Sequence, residues 1–347
     1  LFHIFAAVPT VYGQSTDYAA VRRAGRAEYW AGHYEKAETL LSAALEVARR
    51  NNDDDAAAIM VDLGVLYQSE ERLIEAEREF NKALSIFRRI PDRDYETAVA
   101  LRNLATIYSI DRPSEALKAL QEALKLLKKN TPDEQELAVQ IRHSQSIVYF
   151  RQGKTREAET LLAQAMGMRS RAAKDSDLLD AQILSNLGAV SQRQRKYDKA
   201  EQSFKRSLEI TEQLLGPAHP YASFALENLG DLYIELRRHG QAEGLYRRSL
   251  DILEQMSPVP ARRIVATLQS LSRICLQKGQ KADAESMLAR AVAIARRSFA
   301  SDPETPKLLE AYGEILKSLG KPEEAQQMRS EARRMRAAIA LTVRLPN

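Results

Sequence analysis

The chain has 347 residues, with 51 Lys and Arg against 47 Asp and Glu and a net charge of only +4. Nucleic-acid binding wants positive charge gathered on one face, and here it is interspersed with carboxylates, so no nucleic-acid partner is expected. A single cysteine leaves no internal disulfide, and no later run reaches the roughly 18 apolar residues of a membrane span.

Residues 1–13, Leu-Phe-His-Ile-Phe-Ala-Ala-Val-Pro-Thr-Val-Tyr-Gly, carry no Lys, Arg, Asp or Glu. The run reads as the end of a secretory signal, with Val11-x-Gly13 as a small-residue cleavage site before Gln14. That places the mature protein in the periplasm or outside the cell. The alternative is an apolar segment that covers the first helical hairpin of a cytoplasmic protein.

From residue 14 to 338 the chain repeats itself. Ala37, Ala76, Ala116, Ala158, Ala200, Ala242, Ala284 and Ala325 are spaced by 39, 40, 42, 42, 42, 42 and 41 residues. A period in that range marks stacked helical hairpins. Two more slots keep the register. Seven residues on stand Ala44, Ala83, Ala123, Ala165, Ser207, Ser249, Ala291 and Ala332; twelve before (eleven in the third unit) stand Gly25, Gly64, Ala105, Ser146, Gly188, Gly230, Ser272 and Gly313. Glycine inside a helix costs about 1 kcal/mol relative to alanine, so its recurrence predicts close approach of the two helices of each hairpin. The expected fold is an all-α, right-handed superhelical solenoid of about eight helix-turn-helix units, followed by a tail at 339–347. Thr131-Pro132-Asp133-Glu134 reads as a capping box at the start of a helix. Arg329 to Arg336 reads as a charged terminal cap.

The landmarks Leu63-Gly64-x-x-Tyr67, Leu229-Gly230-x-x-Tyr233, Ala76-x-x-x-Phe80 and Ala200-x-x-x-Phe204 resemble the tetratricopeptide repeat. With a 42-residue period and Gly216…His219-Pro220 ahead of Asn228-Leu229-Gly230, the units are similar to the kinesin-light-chain type of repeat. Ser191 and Cys275 depart from the usual tyrosine, and the third unit is one residue short around Asp111-Arg112-Pro113. The resemblance implies a protein- or peptide-binding scaffold, with asparagines on the first helices holding an extended ligand.

No chemistry competes with that reading. The five histidines share no helix face, and His219 takes a structural place in the bend before a first helix. Glycine-rich phosphate loops, zinc-ligand pairs and nucleophile elbows are missing. The sequence therefore predicts no enzyme, no cofactor, no metal and no small-molecule substrate. Cys275, in a tyrosine slot, reads as a small core residue.

The informative surface is the concave side, lined by the first helices. Relative to the small slot, positions −3, −2, +1, +4 and +5 share one face. They supply Arg102 and Asn103 in the third unit, then His143, Phe150 and Arg151 in the fourth. Asn186 and Arg193 follow in the fifth, Asn228 and Asp231 in the sixth, and Arg273 in the seventh. Ile110, Ile147, Ile234 and Leu276 offer apolar contacts. Glu227, Asp231 and Glu235 form a carboxylate stripe with two readings. Either Arg193 and Arg273 compensate it as an ion-pair ladder, or it receives a basic ligand residue while Arg102, Arg151 and Arg193 receive acidic ones, along units three to six. The expected function is a non-enzymatic scaffold that holds an extended peptide or partner protein in the groove. The alternatives are an assembly adaptor using its ends or convex face, and a regulatory subunit of a separate enzyme.

Overall fold

The computed structural model describes residues 17–171, 177–256, 259–300 and 302–343. The apolar run at 1–13 lies outside them. Contacts divide the chain into two compact units, Leu1–Asp175 and Ser176–Asn347, where the sequence suggests one uninterrupted series. The described part is all-α, with sixteen helices and no strand.

In the first unit these are α1 (Tyr18–Trp30), α2 (Tyr34–Asn51), α3 (Asp53–Ser69), α4 (Leu73–Phe87), α5 (Asp94–Tyr108), α6 (Pro113–Leu126), α7 (Pro132–Arg151) and α8 (Thr155–Arg171). The second unit holds α9 (Leu178–Arg193), α10 (Tyr197–Leu215), α11 (Pro220–Glu235), α12 (His239–Glu254), α13 (Ala261–Gln277), α14 (Lys281–Ser298), α15 (Glu304–Ser318) and α16 (Pro322–Val343). Consecutive helices pack in pairs, giving four hairpins per unit. The last helix runs to Val343, beyond the boundary at 338 that the repeat pattern suggests.

Each anchor alanine sits near the start of a second helix, and seven of the eight have no exposed surface. The opposing small slot explains why. A Cβ on Gly64 would lie 2.5 Å from Phe80 Cε1, one on Gly188 2.5 Å from Phe204 Cε1, and one on Gly230 2.7 Å from Tyr246 Cε2. These glycines make room for an aromatic ring from the partner helix. Backbone contact, which the sequence alone suggests, is the constraint only at Gly313, whose Cβ would meet the Ala325 carbonyl at 3.3 Å.

Turns inside the hairpins follow one rule as well. The residue five before the anchor has positive φ at Gly32, Glu71, Gly153, Arg195, Arg237, Gly279 and Gly320. That left-handed residue lets the next N–H reach back five residues, as Arg72 N does to the Tyr67 carbonyl at 2.9 Å. The short third unit loses this residue: Asp111 is not left-handed, and Arg112 N reaches back only four, to Tyr108 at 2.8 Å.

A polar pin ties successive hairpins within each unit. Tyr67 donates its hydroxyl to Glu38 at 2.9 Å, and Arg72 reaches the same carboxylate at 2.7 Å while its guanidinium lies 4.2 Å from the Tyr67 ring centre. Arg112 repeats this on Glu77 at 2.6 Å, stacked 4.0 Å from Tyr108. In the second unit Tyr233 and Arg238 meet Glu201 at 3.0 and 2.9 Å. Lys278–Glu243 and Lys321–Glu285 close at 2.6 Å each. Being partly exposed, each such pair contributes only about 0–1 kcal/mol, so the pins align the hairpins more than they stabilise them. Arg72 beside Glu38 and Arg112 beside Glu77 hold those carboxyls below the usual range.

Side chains cap the starts of α1, α3, α7, α9 and α11, and the cap expected at Thr131 needs one correction. Thr131 Oγ1 accepts from Glu134 N at 3.2 Å, but the Glu134 carboxylate turns to Asn130 N at 2.7 Å instead of closing on Thr131. The full reciprocal box occurs at Asp177 and Asp180. His219 caps α11, its Nδ1 accepting from Tyr221 N at 3.2 Å. Gly216, at φ +89°, makes the bend before it.

Candidate functional site

First helices of successive hairpins touch one another, α1 on α3, α3 on α5 and α5 on α7 in the first unit, and α9 on α11 in the second. Side chains at the five positions named from the sequence therefore share a row in each unit. The two rows differ in chemistry.

In the first unit Asn103 is buried on α5, and its Oδ1 accepts from Arg102 Nη2 at 2.9 Å. Arg102 is half-buried, and its Nε is shut off from solvent without a hydrogen-bond partner. His143 on α7 is buried; burial, and next the neighbouring Arg102 charge, hold its pKa down at about 4. Arg151, exposed at the end of α7, donates Nη1 to Ser109 Oγ at 3.2 Å and so bridges back to α5. Phe150 and Ile147 are half-buried, whereas Ile110 stands 60% exposed as an apolar contact.

In the second unit Asn228 donates Nδ2 to Ser185 Oγ at 2.9 Å, joining α11 to α9. Asn186 is half-buried and Arg193 exposed, both on α9. Asn103 and Asn228 thus use part of their amide inside the protein. Among the described residues the Asn103 NH2 and the Asn228 carbonyl oxygen make no side-chain hydrogen bond.

The carboxylate stripe is compensated along α11. Glu227 accepts from Arg263 Nη2 at 2.8 Å, Ser249 Oγ at 2.7 Å and Thr267 Oγ1 at 3.0 Å. Asp231 accepts from the Tyr246 hydroxyl at 2.6 Å and lies 3.7 Å from Arg273 Nη2. Burial, then the Asp231 charge, pushes the Tyr246 hydroxyl far above its ordinary pKa. Glu235 accepts from Gln192 Nε2 at 2.8 Å and Tyr197 Oη at 2.7 Å. The Asp231–Arg273 rung matches the sequence reading, while the donors to Glu235 come from an amide and a phenol.

One feature of the row escaped the sequence. A cleft of about 630 Å³ opens between α13 and α15, with Arg273, Leu276 and Ser270 on one wall and Ala311, Glu314 and Ile315 on the other. Applying the same five-position rule at Gly313 would have pointed to Ala311 and Glu314. Among the described residues no His, Cys, Asp and Glu cluster could hold a metal, and no helix is long and apolar enough to cross a membrane. Cys275 is buried, and burial raises its pKa, the reverse of an activated thiolate.

A helical-hairpin repeat with a polar row on its first helices defines the class, and comparison identifies the type of repeat. The tetratricopeptide-repeat profile matches residues 55–129 and 179–255. Protein KINESIN LIGHT CHAIN-RELATED 1 of Arabidopsis thaliana is 30% identical over 128 residues, 36% of this chain and 20% of that one. This chain therefore matches about a fifth of that relative's length. BtubC (BKLC) of P. vanneervenii superposes with a TM-score of 0.59 at 22% identity, covering 68% of this chain and 92% of that one. The apo quorum sensor NprR of B. thuringiensis gives 0.64 at 16% identity, covering 96% and 92%. Both structures speak for the fold alone. Residues 55–129 and 179–255 are tetratricopeptide repeats, and the chain's repeats resemble those of kinesin light chains.

Proposed function

We propose that the chain is a non-enzymatic scaffold whose first-helix rows hold an extended peptide or a peptide-like segment of a partner protein. The observation that carries this is the recurrence of amides at one slot, with Asn103 and Asn228 each retaining half of the amide for an outside partner. An extended peptide presents alternating N–H and C=O groups, so the Asn103 donors in one unit and the Asn228 acceptor in the other each suit a peptide backbone. Ile110 and the α13–α15 cleft supply apolar contacts beside them. Repeat arrays use such rows as binding surfaces because every hairpin offers the same face at a regular step.

Partner capture by the intact chain and by a triple Asn103, Asn186, Asn228→Ala variant tests the reading. The expected result is loss of captured partners from a variant that still melts cooperatively. Unchanged capture would favour the adaptor that works through its ends or second helices.

A further inference from the structure

Where α10 hands over to α11, three aromatic rings form a ridge on the second unit. Gly216, at φ +89°, turns the chain there, and Arg248 holds the bend by donating Nη2 to the Pro217 carbonyl at 2.8 Å. His219 and Tyr221 stack with ring centres 5.8 Å apart and planes inclined by 18°, and Phe224 follows 6.3 Å from Tyr221. Tyr221 is 47% exposed and Phe224 51%. Both ends of the ridge are fixed. His219 Nδ1 accepts from Tyr221 N at 3.2 Å. The Arg263 guanidinium lies 3.6 Å from the Phe224 ring centre, and it is held there by Ser223 at 2.9 Å and Glu227 at 2.8 Å.

Nothing in the repeat calls for these rings. Phe224 stands six residues before the small slot, where other hairpins carry Ala58, Val99, Gln182, Ala266 and Lys307. Nine before that slot, where Tyr221 stands, others carry Asp55, Glu96, Leu179 and Glu304. Half-exposed rings clamped in place in one hairpin mark a contact surface rather than a packing need.

The chemistry of the ridge selects its ligand. The neighbouring charges are already matched, Arg248 with Glu212 at 2.6 Å and Arg263 with Glu227 at 2.8 Å, so they leave the ridge electrically neutral. The Tyr221 hydroxyl, by contrast, has no hydrogen-bond partner among the described residues. A polyproline II segment fits both facts. It offers flat apolar rings that stack on aromatic faces, a turn of roughly 9 Å, and backbone carbonyls without internal partners. An α-helix keeps its carbonyls for itself, and an added β-strand needs a sheet edge.

We infer that His219, Tyr221 and Phe224 dock a proline-rich segment of a partner protein, with the Tyr221 hydroxyl donating to one of its carbonyls. The ridge shares α11 with Asn228 but takes a ligand of its own, so it stands or falls separately from the amide row.

The test titrates acetyl-decaproline amide into the full chain while the Tyr221 and Phe224 ring signals are followed by NMR. A Gly-Ser peptide and an oligolysine of the same length serve as controls. The expected result is a saturable shift of both ring signals with decaproline alone. Tyr221→Phe, which removes only the hydroxyl, should weaken binding about three- to tenfold. Phe224→Gln, which matches the slot to Gln182 of the preceding hairpin, should weaken it about tenfold or more at an unchanged melting temperature. Ring signals that ignore decaproline, or binding that neither substitution weakens, would overturn the ridge as a docking site. A larger response to oligolysine would overturn its assignment to a neutral, proline-rich ligand. Decaproline binding should persist in the Asn103, Asn186, Asn228→Ala variant, whatever that variant does to other partners; its loss there would overturn the ridge as a site of its own.

Discussion

Phe204→Ala should destabilise the second unit by about 3–5 kcal/mol, the usual cost of emptying a phenylalanine site in a packed core. Phe204 is 1% exposed, and its ring lies where a side chain on Gly188 would be, so α9 and α10 have nothing else to fill the gap. Because a repeat leans only on its neighbours, the loss should open α9 to α12 first, seen by hydrogen exchange before the global melt. The converse change makes the same point with opposite geometry. Gly188→Ala gains about 1 kcal/mol of helix propensity, but its Cβ would stand 2.5 Å from Phe204 Cε1. Overpacking costs typically 1–3 kcal/mol, so Gly188→Ala should still lose. A Phe204→Ala protein that melts and exchanges like the parent would contradict the hairpin packing.

Acid should weaken the first unit in two separable stages. His143 has a folded pKa of about 4 against an ordinary 6.5. Between those values the unfolded chain holds a proton that the folded chain does not. Stability is therefore complete above pH 6.5 and declines as pH falls toward 4, by roughly 1–3 kcal/mol in total. Glu38 and Glu77 have folded pKa values depressed below 4.5, so their contribution is intact above 4.5 and is lost only as pH falls through the lowered values. Melting temperatures measured from pH 7 to pH 3 should show the first decline in the parent and lack it in His143→Gln. An identical decline between pH 6.5 and 4.5 in both proteins would sink this assignment.

The fold was legible because its strongest constraint is volume. A site with no exposed surface between two helices accepts only a small residue, and the same constraint returns with each hairpin, so Ala37 to Ala325 and their opposing glycines print the period directly. The departures were legible too: the residue missing before Pro113 is the left-handed turn position, and Cys275 is buried as its slot implies. The pins between hairpins carried a readable signal that went unused, a basic residue four before the anchor at Arg72, Arg112 and Arg238 and a glutamate one after it at Glu38, Glu77 and Glu201.

The candidate face was legible only as a list of positions. Periodicity says that Arg102 and His143 point to one side, but not that Arg102 donates to the Asn103 amide where Arg22, at the same slot, meets Asp62. That fact depends on what neighbouring helices bring to the spot. Asn103 and Asn228 likewise stand at the same slot, yet one accepts from a guanidinium and the other donates to a serine. Glu235 finds Gln192 and Tyr197 because a hydroxyl and an amide lie within reach, and charge pattern alone favours Arg193.

The central claim, that ligands lie along the first helices, is tested most directly by a footprint. Peptides selected from a random display library on the full chain can be bound back to it, and the protected amides and side chains mapped by hydrogen exchange and cross-linking. The account predicts protection on the first helices, α5 and α7 in one unit or α11 and α13 in the other, including Asn103, Ile110 or Asn228. Protection confined to the second helices or to the ends of the units would contradict it.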